Sequence, residues 1–119
     1  MAIHGLFYIL INVSDLARSK AFYGEALGWR LDTDVPGQVA GFWFGEAYLV
    51  VTQDHRPEDQ RRYAGGSEFS VKVDDLEAEH DRLTKAGVAV TAIKTQPWGE
   101  RNFNFKDPDG YPWCYGKPA

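Results

Sequence analysis

Apolar and polar positions alternate along the chain in a pattern that occurs twice. In the first half, the spacing of apolar residues predicts the order β-α-β-β-β, over residues 6–13, 16–27, 29–34, 39–44 and 47–52. The second half predicts the same order, over residues 68–73, 76–86, 88–93, 101–106 and 113–115. A polar segment between the halves carries Pro57 and Gly65-Gly66, and we expect it to be a connector. The pattern therefore predicts two similar folding units.

Short matching motifs support an internal repeat. The letters V-S-D-L at 13–16 return as V-D-D-L at 73–76, sixty positions later. Asp74 is a candidate cap for the second helix, because its side chain can accept a hydrogen bond from a free backbone N–H at the helix start. Gly28 and Gly87 stand where each helix should end. Two copies of one unit explain this order better than coincidence does.

Composition and charge narrow the function classes. The chain has 119 residues, 44% hydrophobic and 14% aromatic, with a formal net charge of −4. Its main basic cluster, Arg56 with Arg61-Arg62, is interrupted by acidic residues, so we expect no nucleic-acid partner. No apolar run is long enough to span a bilayer, and the start lacks the basic region of a signal peptide. With its single cysteine, the chain is expected to be cytoplasmic and without a membrane partner.

Two further motifs indicate a family. The sequence F-Y-x-x-x-L-G-W at 22–29 is followed by D-P-D-G at 107–110, and the two V-x-D-L motifs flank the first of them. In this order they resemble the vicinal oxygen chelate superfamily of glyoxalases, bleomycin resistance proteins and extradiol dioxygenases. The character is closest to the metal-independent, bleomycin-resistance-like members.

The resemblance covers nearly the whole chain and implies an α+β fold. Two tandem βαβββ modules would form a curled-sheet cup with a helix on each convex face. Residues 1–119 would make a single domain, with module one at about 1–55 and module two at about 66–119. Each module is thin, so we expect a homodimer.

The side chains expected at the cup or its rim are mostly aromatic or carry amides. Period-two alternation places Tyr8, Asn12, Glu68, Asn102 and Asn104 opposite the apolar residues that a covering helix requires. For 39–52 the choice of face comes from the resemblance, as does the position of Cys114. The candidate ligand-binding residues are Tyr8, Asn12, Trp43, Tyr48, Glu68, Trp98, Arg101, Asn102, Asn104 and Cys114. Such a pocket suits a flat or aromatic ligand. The alternative is that the aromatic rings pack against each other or against a second subunit.

The resemblance also implies where metal-dependent members place their ligands. Carried over to this chain, those positions hold Tyr8, Glu68 and Cys114, of which only the carboxylate is a usual ligand for an exchangeable divalent ion. We therefore expect no metal and no cofactor. Glu68 is a candidate general base, or else a surface charge that pairs with Lys72.

Three functions remain open from the sequence. The first is metal-independent binding or sequestration of a small, flat or aromatic organic molecule, as in bleomycin-resistance-like proteins. The alternative is a metal-dependent glyoxalase- or dioxygenase-type enzyme, a lyase or oxygenase that uses Glu68. The second alternative is a non-catalytic module for protein association.

Overall fold

Each half of the chain folds into a four-stranded mixed sheet with one helix packed against it. The computed structural model describes residues 2–119, and contacts between Cα atoms divide the chain into unit 1, Met1–Tyr63, and unit 2, Ala64–Ala119. Unit 1 contains β1 (Ile9–Val13), α1 (Leu16–Ala21), a π-helical turn (Phe22–Ala26), β2 (Arg30–Val35), β3 (Val39–Phe44) and β4 (Ala47–Gln53). Unit 2 contains β5 (Phe69–Lys72), α2 (Leu76–Lys85), β6 (Lys94–Gln96), β7 (Glu100–Lys106) and β8 (Pro112–Pro118).

The two sheets have the same topology. Their strand orders are β1-β4-β3-β2 and β5-β8-β7-β6. The first strand of each unit runs parallel to the fourth, and the other pairs are antiparallel. This confirms the α+β class and the tandem βαβββ modules that the sequence predicts.

One face of each sheet is covered by its helix. The fully buried residues on this face alternate along the strands, as period-two geometry requires; in unit 1 they are Val13, Ala40, Phe42, Leu49 and Val51. In unit 2 the corresponding core residues are Leu76, Leu83, Phe103, Phe105, Trp113 and Tyr115. The opposite face, which we call the open face, therefore carries the intervening residues of each strand.

The glycines that follow the helices have the expected conformation, whereas the cap of α2 differs from the prediction. Gly28 and Gly87 have φ of 73° and 85°, a left-handed conformation that glycine adopts without a Cβ clash. The expected cap Asp74 is wrong by one residue, since Asp75 accepts the hydrogen bond from the Ala78 N–H at 3.0 Å. Among residues 2–119, no helix is long and apolar enough to cross a membrane.

The strand expected at 88–93 is also wrong. The second strand of unit 2 is instead Lys94–Gln96. Around Thr91, the backbone N–H donates to the Asn104 carbonyl at 2.9 Å, while the Thr91 hydroxyl accepts from the Asn104 N–H at 2.8 Å. The Asn104 N–H is thus bonded to a side-chain oxygen instead of a backbone carbonyl, and regular β-sheet pairing does not form around Thr91.

The polar segment after β4 begins with one buried carboxylate, which pairs with a cation two residues later. The Asp54 side chain is 1% exposed and accepts two hydrogen bonds from the Arg56 guanidinium, at 2.9 and 2.7 Å. These bonds hold the pKa of Asp54 well below its usual range. Beyond them the chain makes one turn of 3₁₀ helix, Glu58–Gln60.

Candidate functional site

The open face of the second sheet is lined by polar side chains. Asn102 and Asn104 project from β7 opposite to Phe103 and Phe105, which pack on the helix side. Cys114 on β8 lies between them and β5, because it pairs with both Asn104 and Ser70. The structure therefore brings together Asn102, Asn104 and Cys114, and a hydrogen bond from Asn104 adds Glu68.

A chain of hydrogen bonds runs along this face to an exposed indole. Gln96 Nε2 donates to Asn102 Oδ1 at 3.0 Å, and Asn102 Nδ2 donates to Glu100 Oε2 at 2.8 Å. The other carboxylate oxygen of Glu100 accepts from Trp98 Nε1 at 3.0 Å. Trp98 is 70% exposed, yet its only polar atom is bonded, so its ring is held at the rim of the sheet.

Glu100 is a site residue that the sequence prediction missed. We expected the strand to begin at Arg101, whereas β7 begins at Glu100 and places it on the same face as Asn102. Hydrogen bonds from Asn102 and Trp98 lower the pKa of Glu100 more than partial burial raises it, so the carboxylate is an anion at neutral pH. Alternation back from Asn102 and Asn104 was the signal that could have identified it.

Cys114 and Glu68 have different surroundings on this face. Burial raises the pKa of the Cys114 thiol, and the nearby Glu68 and Glu100 carboxylates raise it further. The protonated Sγ donates weakly to Glu100 Oε2 at 3.9 Å. Glu68 Oε1 accepts from Asn104 Nδ2 at 2.7 Å, beside a depression of about 370 Å³ that Phe105 and Pro112 also line. The thiol is thus buried and its ionisation is disfavoured, whereas the Glu68 carboxylate is exposed.

A pocket of about 360 Å³ lies where β5, β7 and β8 reach the Trp98 turn. Its lining includes Ser70, Lys72, Trp98, Glu100, Gly116 and Lys117. Gly116 has no side chain, and the Glu100 carboxylate occupies the space above it. This pocket, which we call the Trp98 pocket, is thus lined by an aromatic ring, a carboxylate and two lysines.

The open face of the first sheet carries an aromatic pair. The rings of Trp43 and Tyr48 meet edge to face, with centroids 4.6 Å apart, and the Arg30 guanidinium lies 5.9 Å from the Trp43 ring. Tyr48 lies across Gly41, and its hydroxyl hydrogen-bonds with Thr33 at 2.7 Å and donates to Asp32 at 3.0 Å. Both rings are half-buried. They form a rigid aromatic surface on unit 1.

Three predicted site residues have other surroundings. Asn12 Oδ1 accepts from the Thr52 hydroxyl at 2.8 Å, within the first sheet. Tyr8 precedes β1 and is 46% exposed. Arg101 lies on the helix side of its sheet, where its guanidinium pairs with Glu77 of α2 at 2.7 Å. Arg101 therefore lies on the opposite face from Asn102 and Asn104.

Residues 5–115 match the model of the Glyoxalase/Bleomycin resistance protein/Dioxygenase superfamily. The chain belongs to this superfamily. The match includes both βαβββ modules and confirms the family that the F-Y-x-x-x-L-G-W and D-P-D-G motifs indicate.

Within the superfamily, the chain is similar to proteins with different descriptions. It is 30% identical to the uncharacterized protein YaeR of Escherichia coli (strain K12), over 88% of this chain and 89% of YaeR. It is also 30% identical to TnmS3, an antibiotic binding protein from Streptomyces sp. CB03234, over 100% of this chain and 99% of TnmS3, with a TM-score of 0.79. Lactoylglutathione lyase from Agrobacterium tumefaciens shares the fold, with 20% identity over 98% of this chain and 95% of that one and a TM-score of 0.77.

The superfamily positions for metal ligands do not fit a metal in this chain. Tyr8 offers a phenol, which is not a usual ligand for an exchangeable divalent ion, and Cys114 offers a buried thiol whose pKa is raised. The third, Glu68, is hydrogen-bonded to Asn104. Within residues 2–119, no group of three or more His, Cys, Asp or Glu side chains is arranged to hold a metal ion.

Proposed function

We propose that this chain binds and sequesters a small, flat or aromatic organic molecule without a metal, as a bleomycin-resistance-like member of its superfamily. The observation that carries the proposal is the Trp98 indole, 70% exposed and fixed by Glu100 at the wall of a pocket of about 360 Å³. A pocket of this volume suits a small ligand.

The fixed indole is suited to stacking. Removing an apolar ring from water is favourable, so a ligand that covers the exposed Trp98 ring gains binding free energy from its burial. Because Glu100 already accepts the indole N–H, a ligand that stacks on the ring leaves no buried donor unpaired. Offset stacking adds about 0.5–1.5 kcal/mol to the area term.

Two further features support a binding role. The Trp43–Tyr48 pair gives unit 1 an aromatic surface that is also held in place by hydrogen bonds. TnmS3, which is described as an antibiotic binding protein, is similar over the whole length of this chain. The donor set at Tyr8, Glu68 and Cys114 favours a metal-independent mode.

Isothermal titration of chelator-treated protein with acridine, a neutral three-ring probe, tests the proposal. We expect saturable binding that is weakened about tenfold or more in Trp98→Ala, since the stacked ring contributes both area and geometry. Phe7→Ala is the matched control, because it removes an aromatic ring that is 90% exposed and distant in sequence from the pocket lining. Acridine recovered unchanged by mass spectrometry is the expected result for sequestration. Equal affinity of Trp98→Ala and wild type would contradict the proposal.

A further inference from the structure

Glu100 is an anion that has only neutral partners. Its carboxylate accepts from the Asn102 amide, the Trp98 indole and the Cys114 thiol. Among residues 2–119, no Lys, Arg or His forms an ion pair with it. The residue is half-buried and lines the Trp98 pocket. A half-buried carboxylate without a countercharge is stabilised by a cation that reaches it.

The surroundings of Glu100 direct this charge into the pocket. Gly116 lies beneath the carboxylate, and a Cβ at that position would be only 2.6 Å from Oε2. The three donors reach the carboxylate from its own sheet and from the adjoining turn, which fixes its orientation. A ring stacked on the Trp98 indole would therefore have one edge near the Glu100 carboxylate.

Two lysines also line this pocket, and their ammonium groups have different surroundings. The Lys117 ammonium donates to the Asp74 carbonyl at 2.9 Å, so its charge is held near the start of α2. Lys72 projects from β5, and its Cα pairs with Gly116, the same residue that pairs with Asn102 on the other side. Lys72 is exposed, so its charge is screened by water, whereas that of Glu100 is screened less.

We propose that the Glu100 carboxylate makes the Trp98 pocket selective for planar aromatic molecules that carry a positively charged amine at one edge. This inference rests on the proposed function and specifies the class of ligand. The amine donates a charge-assisted hydrogen bond to Glu100 and supplies the missing countercharge, while the ring stacks on Trp98. Planar molecules with an anionic group at the same edge are repelled.

Three probes that share one ring system and differ in charge test this selectivity. They are 9-aminoacridine, which is cationic at neutral pH, acridine, which is neutral, and acridine-9-carboxylate, which is anionic. Isothermal titration of the full chain at physiological ionic strength should give about tenfold tighter binding for 9-aminoacridine than for acridine, the size expected of one charged hydrogen bond. In Glu100→Gln this ratio should fall to about threefold or less.

Matched variants separate the local effect from net charge. Asp81→Asn removes one exposed carboxylate from the Lys85 pair on α2, so it changes the net charge by the same amount and should keep the wild-type ratio. Lys72→Gln should raise the ratio, because it removes the opposing charge. Glu100→Ala is the second variant if Glu100→Gln does not fold, since truncation adds no atoms above Gly116.

Each outcome has a defined meaning. A ratio that is lost in the Glu100 variants and kept in Asp81→Asn supports the inference. Equal affinities of the three probes for wild type, or an unchanged ratio in the Glu100 variants, would overturn it and leave the proposed function standing. Failure of all three probes to bind would overturn the proposed function, and the inference with it.

Discussion

Oε2 of Glu100 lies over Gly116, at a point only 2.6 Å from where a Cβ atom would be. A methyl group at 116 would also lie 3.2 Å from the Arg101 carbonyl oxygen, which is part of the backbone and shifts less easily than a side chain. The glycine is therefore required by the close approach of the neighbouring strand and not by its own φ angle.

Gly116→Ala should lower stability by about 1–3 kcal/mol, the usual cost of overpacking, and should displace the Glu100 carboxylate. We expect a lower Tm by circular dichroism together with weaker acridine binding. Gly65→Ala is the control, because nothing lies within 4 Å of a Cβ there, and it should leave both quantities nearly unchanged. A Gly116→Ala protein with wild-type Tm and affinity would show that the carboxylate is not placed as described.

Tyr48→Phe should lower stability by about 0.5–1 kcal/mol, because it removes the hydroxyl that bonds to Thr33 and Asp32. Urea denaturation followed by circular dichroism measures this change. Tyr8→Phe removes a phenol hydroxyl from an exposed ring and serves as the comparison. If both substitutions have the same small effect, the Tyr48 hydrogen bonds do not hold the aromatic pair in place.

Asp54→Asn should remove a pH-dependent part of the stability. The folded-state pKa of Asp54 lies below its unfolded value, so its contribution is fully present above the unfolded pKa and is lost as pH falls through the folded pKa. The Tm of wild type should therefore exceed that of Asp54→Asn at neutral pH, and the two should converge in strong acid. The exposed Asp59→Asn in the same segment is the control. A constant difference at all pH values would mean that the ionised form of Asp54 makes no contribution.

Cys114 should react slowly with a thiol reagent in the folded protein. Its side chain is buried and its pKa is raised, so little thiolate reaches the solvent at neutral pH. The release of thionitrobenzoate from Ellman's reagent, followed in buffer and in concentrated urea, measures the protection. Reaction in buffer as fast as in urea would contradict the burial of this thiol. It would also make Cys114 a better candidate for a metal ligand.

The fold could be predicted from the sequence because the helix-ending glycines and the apolar strand patterns agree with the order of elements in both units. The glycines at 28 and 87 end both helices, and β3 has the bounds that its apolar residues indicate. The strand at 88–93 was wrong because Thr91 bonds through its side chain, which hydrophobicity does not encode.

The site was harder to predict than the fold. Residues on one strand, such as Asn102 and Asn104, could be placed on a face by alternation. Glu100 was missed because the strand was expected to begin one residue later, although alternation back from Asn102 places it on the same face. Its contacts with Gly116 of another strand and with the Trp98 turn are long-range, and the strand pattern alone does not predict them. Arg101 was expected in the pocket, whereas it pairs with Glu77 on the helix side.

In the proposed function, the fixed indole of Trp98 forms the wall of a ligand pocket. Fluorine NMR of protein labelled with 5-fluorotryptophan tests it most directly, since each of the 4 tryptophans gives its own resonance and Trp98→Phe assigns one of them. Trp113 is fully buried and serves as the internal reference. On addition of acridine to chelator-treated protein, the account predicts a large, saturable shift of the Trp98 resonance while that of Trp113 stays in place. Saturable binding of acridine with an unchanged Trp98 resonance would contradict it.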